Sequence, residues 1–313
     1  MTIGRGFHKS NDNFDNGGYW ETTSSVDFCE SNYIISKFVA EPHNAWSSLV
    51  LCFFGLIGLI YSNPMKELRV YLMFTIMFVI GIGSCFLHTT LDKLAQSSDE
   101  LPMLWFNICA TYSLFELKTE RGSNKYRFAS IGGYLFALIQ TIIYFGYQDV
   151  YIVFLVTYSS LVAVMAVWSY LLIDHHDKVL KDQRSFLWHQ SLASYVIIGA
   201  IPWIFDMHYC FEMKPYYDSL PFIFKGMTLH VIWHIFAGLG TYYYIVLIVL
   251  IRCQSLFGST YRLSFKFGLP IVEHVKEIPK IEGRSRSISR VNNTNKSNNN
   301  RKRSRSKSKS KKN

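Results

Sequence analysis

Seven stretches of roughly 17–25 mostly apolar residues recur along the chain, at about 45–62, 69–89, 101–117, 127–147, 150–173, 187–206 and 227–251. Each has about the length a helix needs to cross ~30 Å of hydrocarbon. The pattern predicts an all-α polytopic membrane protein with seven transmembrane helices. Proline or polar positions interrupt the third and sixth stretches, so six spans is the alternative.

Composition agrees with that reading. Hydrophobic residues make up 50% of the 313 positions and charged residues only 17%, where soluble domains carry nearer a quarter charged. Residues 1–44 contain no apolar run behind a basic start, which argues against a cleavable signal peptide. Basic residues in the short loops set the orientation. Loops after the first, third and fifth spans hold Lys66 and Arg69, then Lys118, Arg121, Lys125 and Arg127, then Lys178, Lys181 and Arg184. Those after the second, fourth and sixth hold Lys93, none, and Lys214 with Lys225. The first set is expected in the cytosol, which puts the N-terminus in a lumen or outside and the C-terminus in the cytosol. From Arg252 onward there are 17 lysines and arginines against three glutamates, so the net charge of +10 belongs to the tail. Residues 252–313 therefore read as a basic, low-complexity, disordered cytosolic tail. Such a run suits anionic lipids on the cytosolic leaflet better than nucleic acid, and no nucleic-acid partner is expected. The sequons at Asn292 and Asn295 would then stay unglycosylated. Three regions result: a lumenal segment over 1–44, a membrane domain over 45–251, and the tail.

Several polar residues resist this apolar background. His230 and His234, in HVIWH, are one helical turn apart and share a face. Ser84 and His88 repeat that spacing near the end of the second span, in GSCFLH, and the orientation brings both segments to the same side of the membrane. Three histidines from two helices, with a fourth position left for water, match a catalytic zinc site. The competing reading is a pair of hydrogen-bonded or interfacial imidazoles. Asp92 and Asp99 are the nearby carboxylates able to orient a ligand or move a proton, and spacing does not choose between them. Asp27, Glu30, Asn32 and Glu41 lie within fifteen residues of one another. That density suits a hard cation such as calcium, though without EF-hand spacing, and it equally suits acidic residues wetting a loop and capping a helix.

GYWETTSSVDFCESNY, GSCFLH followed by DELPM, and HVIWHIFAGLGTYYY together resemble the alkaline ceramidases, part of a superfamily of seven-helix membrane hydrolases; the resemblance covers roughly residues 18–255. It implies that His88, His230 and His234 hold zinc, that Ser84 helps stabilise the oxyanion, and that Asp99 is the acid/base. It further implies that Asp27, Glu30, Asn32, Glu41 and the backbone carbonyl of Phe28 hold calcium, with Phe28 standing where the family usually has Trp. The substrate would be a ceramide, phytoceramide or dihydroceramide in the fungal members, and the tail would suit a fungal protein. A lipid-sensing receptor of the adiponectin-receptor type is the alternative, because it shares the histidines; a proton-relaying transporter is a third. The acidic N-terminal cluster and the lumenal N-terminus match ceramidases. Of six cysteines, only Cys29 and Cys210 fall in segments expected to be lumenal, where a disulfide can form, and the family is similar there. Lys309 and Lys311 resemble a dilysine retrieval signal, which implies the endoplasmic reticulum.

Overall fold

A computed structural model describes residues 17–120, 123–146 and 150–275 of the protein. Residues 1–16 and the tail from 276 on, with Asn292, Asn295, Lys309 and Lys311, lie outside the described residues. Helix α1 (Pro42–Tyr61) opens on a proline, whose missing N–H costs nothing in a first turn. Helix α2 (Leu68–Thr90) ends at Leu91, which adopts a left-handed conformation with φ 50°. Helix α3 (Lys93–Phe115) starts at once from Asp92, whose carboxylate accepts from the amides of Leu94 and Ala95. Then come α4 (Arg127–Gly146) and α5 (Val150–Leu171). Helix α6 (Lys178–Leu192) passes through a π-helical stretch, Ala193–Ala200, into α7 (Ile201–His208). A short α8 (Cys210–Asp218) and the long α9 (Leu229–Phe257) complete the helices.

Among the described residues six helices are long and apolar enough to cross a membrane: α1, α2, α4, α5, the continuous run Lys178–His208, and α9. The third expected span lies in α3, which begins at Lys93 rather than near 101. Its first two turns carry Gln96, Ser97, Ser98, Asp99 and Glu100, so its mean hydropathy is low although its length suffices.

Helix α9 is the axis of the bundle. From Tyr244 to Gln254 every residue is buried, the signature of a helix with neighbours all round. It packs on α1, α2, α3, α6 and the π-helical stretch. At the end of the bundle away from the histidines, Arg252 is 2% exposed. Its guanidinium donates to Glu67 Oε1 at 3.0 Å and to the carbonyls of Glu116 (2.7 Å), Leu117 (3.2 Å) and Thr119. Arg69 completes the cluster through Glu67 (2.8 Å) and Glu116 (2.7 Å). This clamp joins the start of α2, the end of α3 and α9.

The expected disordered tail from 252 is corrected here. Helix α9 runs on to Phe257, and strands β1 (Tyr261–Lys266) and β2 (Leu269–His274) pair antiparallel. The all-α expectation is thereby amended by one hairpin. Phe267 (φ 53°) and Gly268 (φ 78°) both take positive φ, as a two-residue turn of matching twist requires. Leu269, Ile271 and Val272 are buried, and Tyr242 in α9 donates to the Pro270 carbonyl at 3.0 Å. The basic surplus concealed this short apolar strand.

Two close approaches depend on glycine. A Cβ on Gly240 would stand 2.7 Å from Cβ of Tyr195, so α9 touches the π-helical stretch backbone to backbone. One on Gly83 would overlap the carbonyl oxygen of Ser98, holding α2 and α3 together beside Ser84 and Asp99. Gly83→Ala should therefore lower stability by about 1–3 kcal/mol through overpacking, because the backbone at Ser98 and Asp99 must give way. Thermal unfolding in detergent checks this; an unchanged unfolding midpoint would contradict the contact.

Candidate metal centre

The N-terminal segment folds over the end of α2. The amides of Thr23 and Ser24 donate to the Leu91 carbonyl, Ala40 N donates to Thr89 O at 3.0 Å, and Glu41 N to His88 O at 2.9 Å. The Cys29–Cys210 disulfide, with Cα atoms 5.3 Å apart, ties the same segment to α8. The pairing expected from compartment is present.

His88 from α2 and His230 and His234 from α9 converge, all buried, with one ring nitrogen of each within 4.8 Å of the others. Their ring centroids are 4.4–5.1 Å apart. His88 Nδ1 meets Glu41 Oε2 at 2.5 Å. An ionised Glu41 makes that nitrogen the donor and leaves a lone pair on Nε2, the arrangement usual for a metal-binding imidazole. His234 Nδ1 lies 2.7 Å from Ser47 Oγ, and its Nε2 lies 3.5 Å from Ser84 Oγ. Ser48 donates to Ser84 at 3.0 Å. His88 Nε2 and His230 Nδ1 are buried with no hydrogen-bond partner. Unpartnered imidazole nitrogens are costly in an apolar interior, and a zinc ion with Zn–N bonds of ~2.0–2.1 Å would satisfy them. The residues present fit such an ion.

The two candidate aspartates part company. Asp92 is occupied as the cap of α3 and also accepts from Thr23 Oγ at 2.7 Å. That hydroxyl, ahead of the backbone amides, holds its carboxyl below the ordinary range. Asp99 lies against the Ser84 hydroxyl. With Ser84, His230 and His234 it lines a cavity of about 520 Å³, whose walls continue along α5, the π-helical stretch and α9 past Phe154, Tyr195 and Trp233.

The acidic cluster is assembled as well, but its members have other partners. Glu30 accepts from His43 N and Asn44 N, each at 2.8 Å, and so caps α1, while its Oε1 also meets His43 Nδ1 at 2.9 Å. Asp27 Oδ1 accepts from Asn32 Nδ2 at 3.3 Å. Glu41 accepts from Phe28 N at 3.2 Å through one oxygen and touches His88 through the other. Burial, and then the charges of Asp27 and Glu30, push the Glu41 carboxyl well above the usual carboxylate range; burial raises Asp27 too. The Phe28 ring covers His88 and His230, with centroids 4.8 and 4.4 Å away.

Sequence reasoning missed Ser47 and Ser48, the partners of His234 and Ser84; two adjacent serines within an apolar span were the available signal. It also assigned Glu41 to the acidic cluster alone, whereas here it orients His88. Removing an outer partner of a metal-ligating histidine typically costs 10–100-fold in affinity. Glu41→Gln should weaken retention of a metal ion held by the three histidines by about that factor, measured by competition with a chromophoric chelator, and unchanged retention would leave Glu41 to the acidic cluster alone.

Comparison with known proteins bears on the whole chain. The ceramidase family model matches residues 20–277. A putative alkaline ceramidase of Dictyostelium discoideum is 27% identical over 83% of this chain and 97% of its own length. Alkaline ceramidase 3 of Mus musculus is 30% identical over 81% and 92%, respectively. Alkaline ceramidase YPC1 of Saccharomyces cerevisiae is 31% identical over 76% and 80%. A match over most of the chain, joined to six helices long and apolar enough to cross a membrane among the described residues, makes this chain a multi-pass membrane hydrolase that belongs to the ceramidase family.

Proposed function

We propose that this protein is a zinc-dependent amidase that hydrolyses a ceramide, of the phytoceramide or dihydroceramide kind, to a sphingoid base and a fatty acid. The observation that carries the reading is the meeting of three imidazoles, a serine and an aspartate at one end of an apolar cavity. The names of the relatives support the substrate class.

His88, His230 and His234 would hold the zinc, which when bound lowers the pKa of its water toward roughly 7 and polarises the amide carbonyl. Ser84, kept in place by the Ser48 hydroxyl, donates to the oxygen that gains negative charge. Asp99 takes the proton from the attacking water and returns it to the departing nitrogen, without which an amine is too poor a leaving group. The apolar walls receive the hydrocarbon chains and keep bulk water from the acyl side.

Asp27, Glu30, Asn32, Glu41 and the Phe28 carbonyl would hold calcium. The buried Glu30 and Glu41 and the half-buried Asp27 lie near one another and favour a hard cation, whose positive charge would let Asp27 and Glu41 remain ionised. Glu41 then serves both centres, so the N-terminal segment couples calcium to the geometry of His88. Helix α3 counts as the seventh span, flanked by α2, α4, α5 and α9. The regions become a lumenal segment over 1–41, a membrane domain over 42–275 that includes the hairpin, and a cytosolic basic tail that meets anionic lipid. The protein resides in the endoplasmic reticulum with its N-terminus in the lumen.

Asp99→Asn should keep zinc and lose turnover by roughly 10²- to 10⁴-fold, the usual worth of general acid/base catalysis, whereas His234→Ala should lose both. Metal analysis beside a panel of ceramide, dihydroceramide and phytoceramide checks this. Normal turnover by Asp99→Asn with loss in Asp92→Asn would overturn the assignment of the base. For location, replacing Lys309 and Lys311 with serine should release the protein toward the Golgi in imaging of tagged cells; unchanged residence would show that those lysines are no signal.

A further inference from the structure

Glu100 follows Asp99 on α3, about 100° further round the helix, and lines the same cavity. It is 3% exposed. Its Oε1 accepts from Gln96 Nε2 and its Oε2 from Tyr144 OH, both at 2.8 Å. Gln96 in turn accepts from Ser25 N at 2.8 Å, so the row reaches the N-terminal segment. Both donors to Glu100 are neutral, and no ion pair among the described residues includes this carboxyl. The assigned chemistry has no use for it either, since Asp99 carries the proton and Ser84 the oxyanion.

Hydrolysis of an amide forms a C–O bond and breaks the C–N bond. The acyl half leaves as a carboxylic acid and the other half as a primary amine. The acid's proton passes to the amine, giving a carboxylate and an ammonium in a cavity with few polar walls. A buried ammonium is unfavourable without a counter-charge. Neutral ceramide carries no such charge, so a carboxylate at this wall distinguishes product from substrate. We propose that Glu100 binds the ammonium of the released long-chain base, a subsite that rests on the amidase reading above and makes the amine the tighter-held product.

Binding of a saturated long-chain 2-amino-1,3-diol and of the amine-free long-chain 1,3-diol to the full-length, detergent-solubilised protein tests this by calorimetry. The wild type should hold the amine about tenfold or more tightly than the neutral diol, the worth of one charge-assisted contact. Glu100→Gln should erase that preference and leave the neutral diol unaffected. Tyr144→Phe breaks the tie to α4 but keeps the carboxylate, and should retain the preference. A wild type with no preference, a Glu100→Gln variant that keeps it, or a Tyr144→Phe variant that loses it equally would each overturn the subsite. A preference that depends on Glu100 in a protein that cleaves no ceramide would uphold the amine site and sink the amidase reading instead.

Discussion

The contact between Glu41 and His88 is the constraint on which the rest of the structure turns. Three imidazoles gathered among apolar helices are tolerable only if each outer nitrogen is matched and each inner one has a task. Glu41 meets that condition for His88 twice, through its carboxylate on Nδ1 and its backbone amide on the His88 carbonyl. Because it stands immediately before Pro42, the same residue fixes where α1 begins. The position of α1 then delivers Ser47 to His234 and Ser48 to Ser84. A carboxylate outside the helices thus sets the geometry of groups on three of them.

Helix α9 transmits that order along the bundle. Its first turns carry His230 and His234, its middle is enclosed on every side, and its last turns carry Arg252. The buried guanidinium is tolerated because the Glu67 carboxylate and three backbone carbonyls meet it. The helix is therefore pinned at both ends by polar clusters and gripped between them by apolar packing. That is the rigidity a site with tight positional demands needs.

Much of this was legible in the residues. The histidine spacing and the apolar lengths led to the helices that carry the three histidines and to six of the expected spans, and the compartment of two cysteines led to the disulfide. The expectations of calcium in the acidic cluster and of Asp99 as the acid/base came instead from family resemblance, and both stand as proposals. What escaped had physical reasons. Helix α3 starts at Lys93 because Asp92 caps it, and a polar first half conceals a helix from any reading of hydropathy. The hairpin after Phe257 was masked by surrounding lysines and arginines, although Tyr261–Lys266 alternates as a strand does. Glu41 looked like one more acid in an acidic segment, since its bond to His88 spans 47 positions and leaves no local pattern.

The sites are also spread along the chain in a way that matters for synthesis. His88 emerges early, whereas His230 and His234 belong to α9, the last helix among the described residues. No partial chain holds all three imidazoles, so the nascent protein is an inert set of helices until α9 is in place. On the proposed reading, a metal can be loaded only after α9 is in place, and a chain stalled before α9 lacks the site that would act on its lipid substrate.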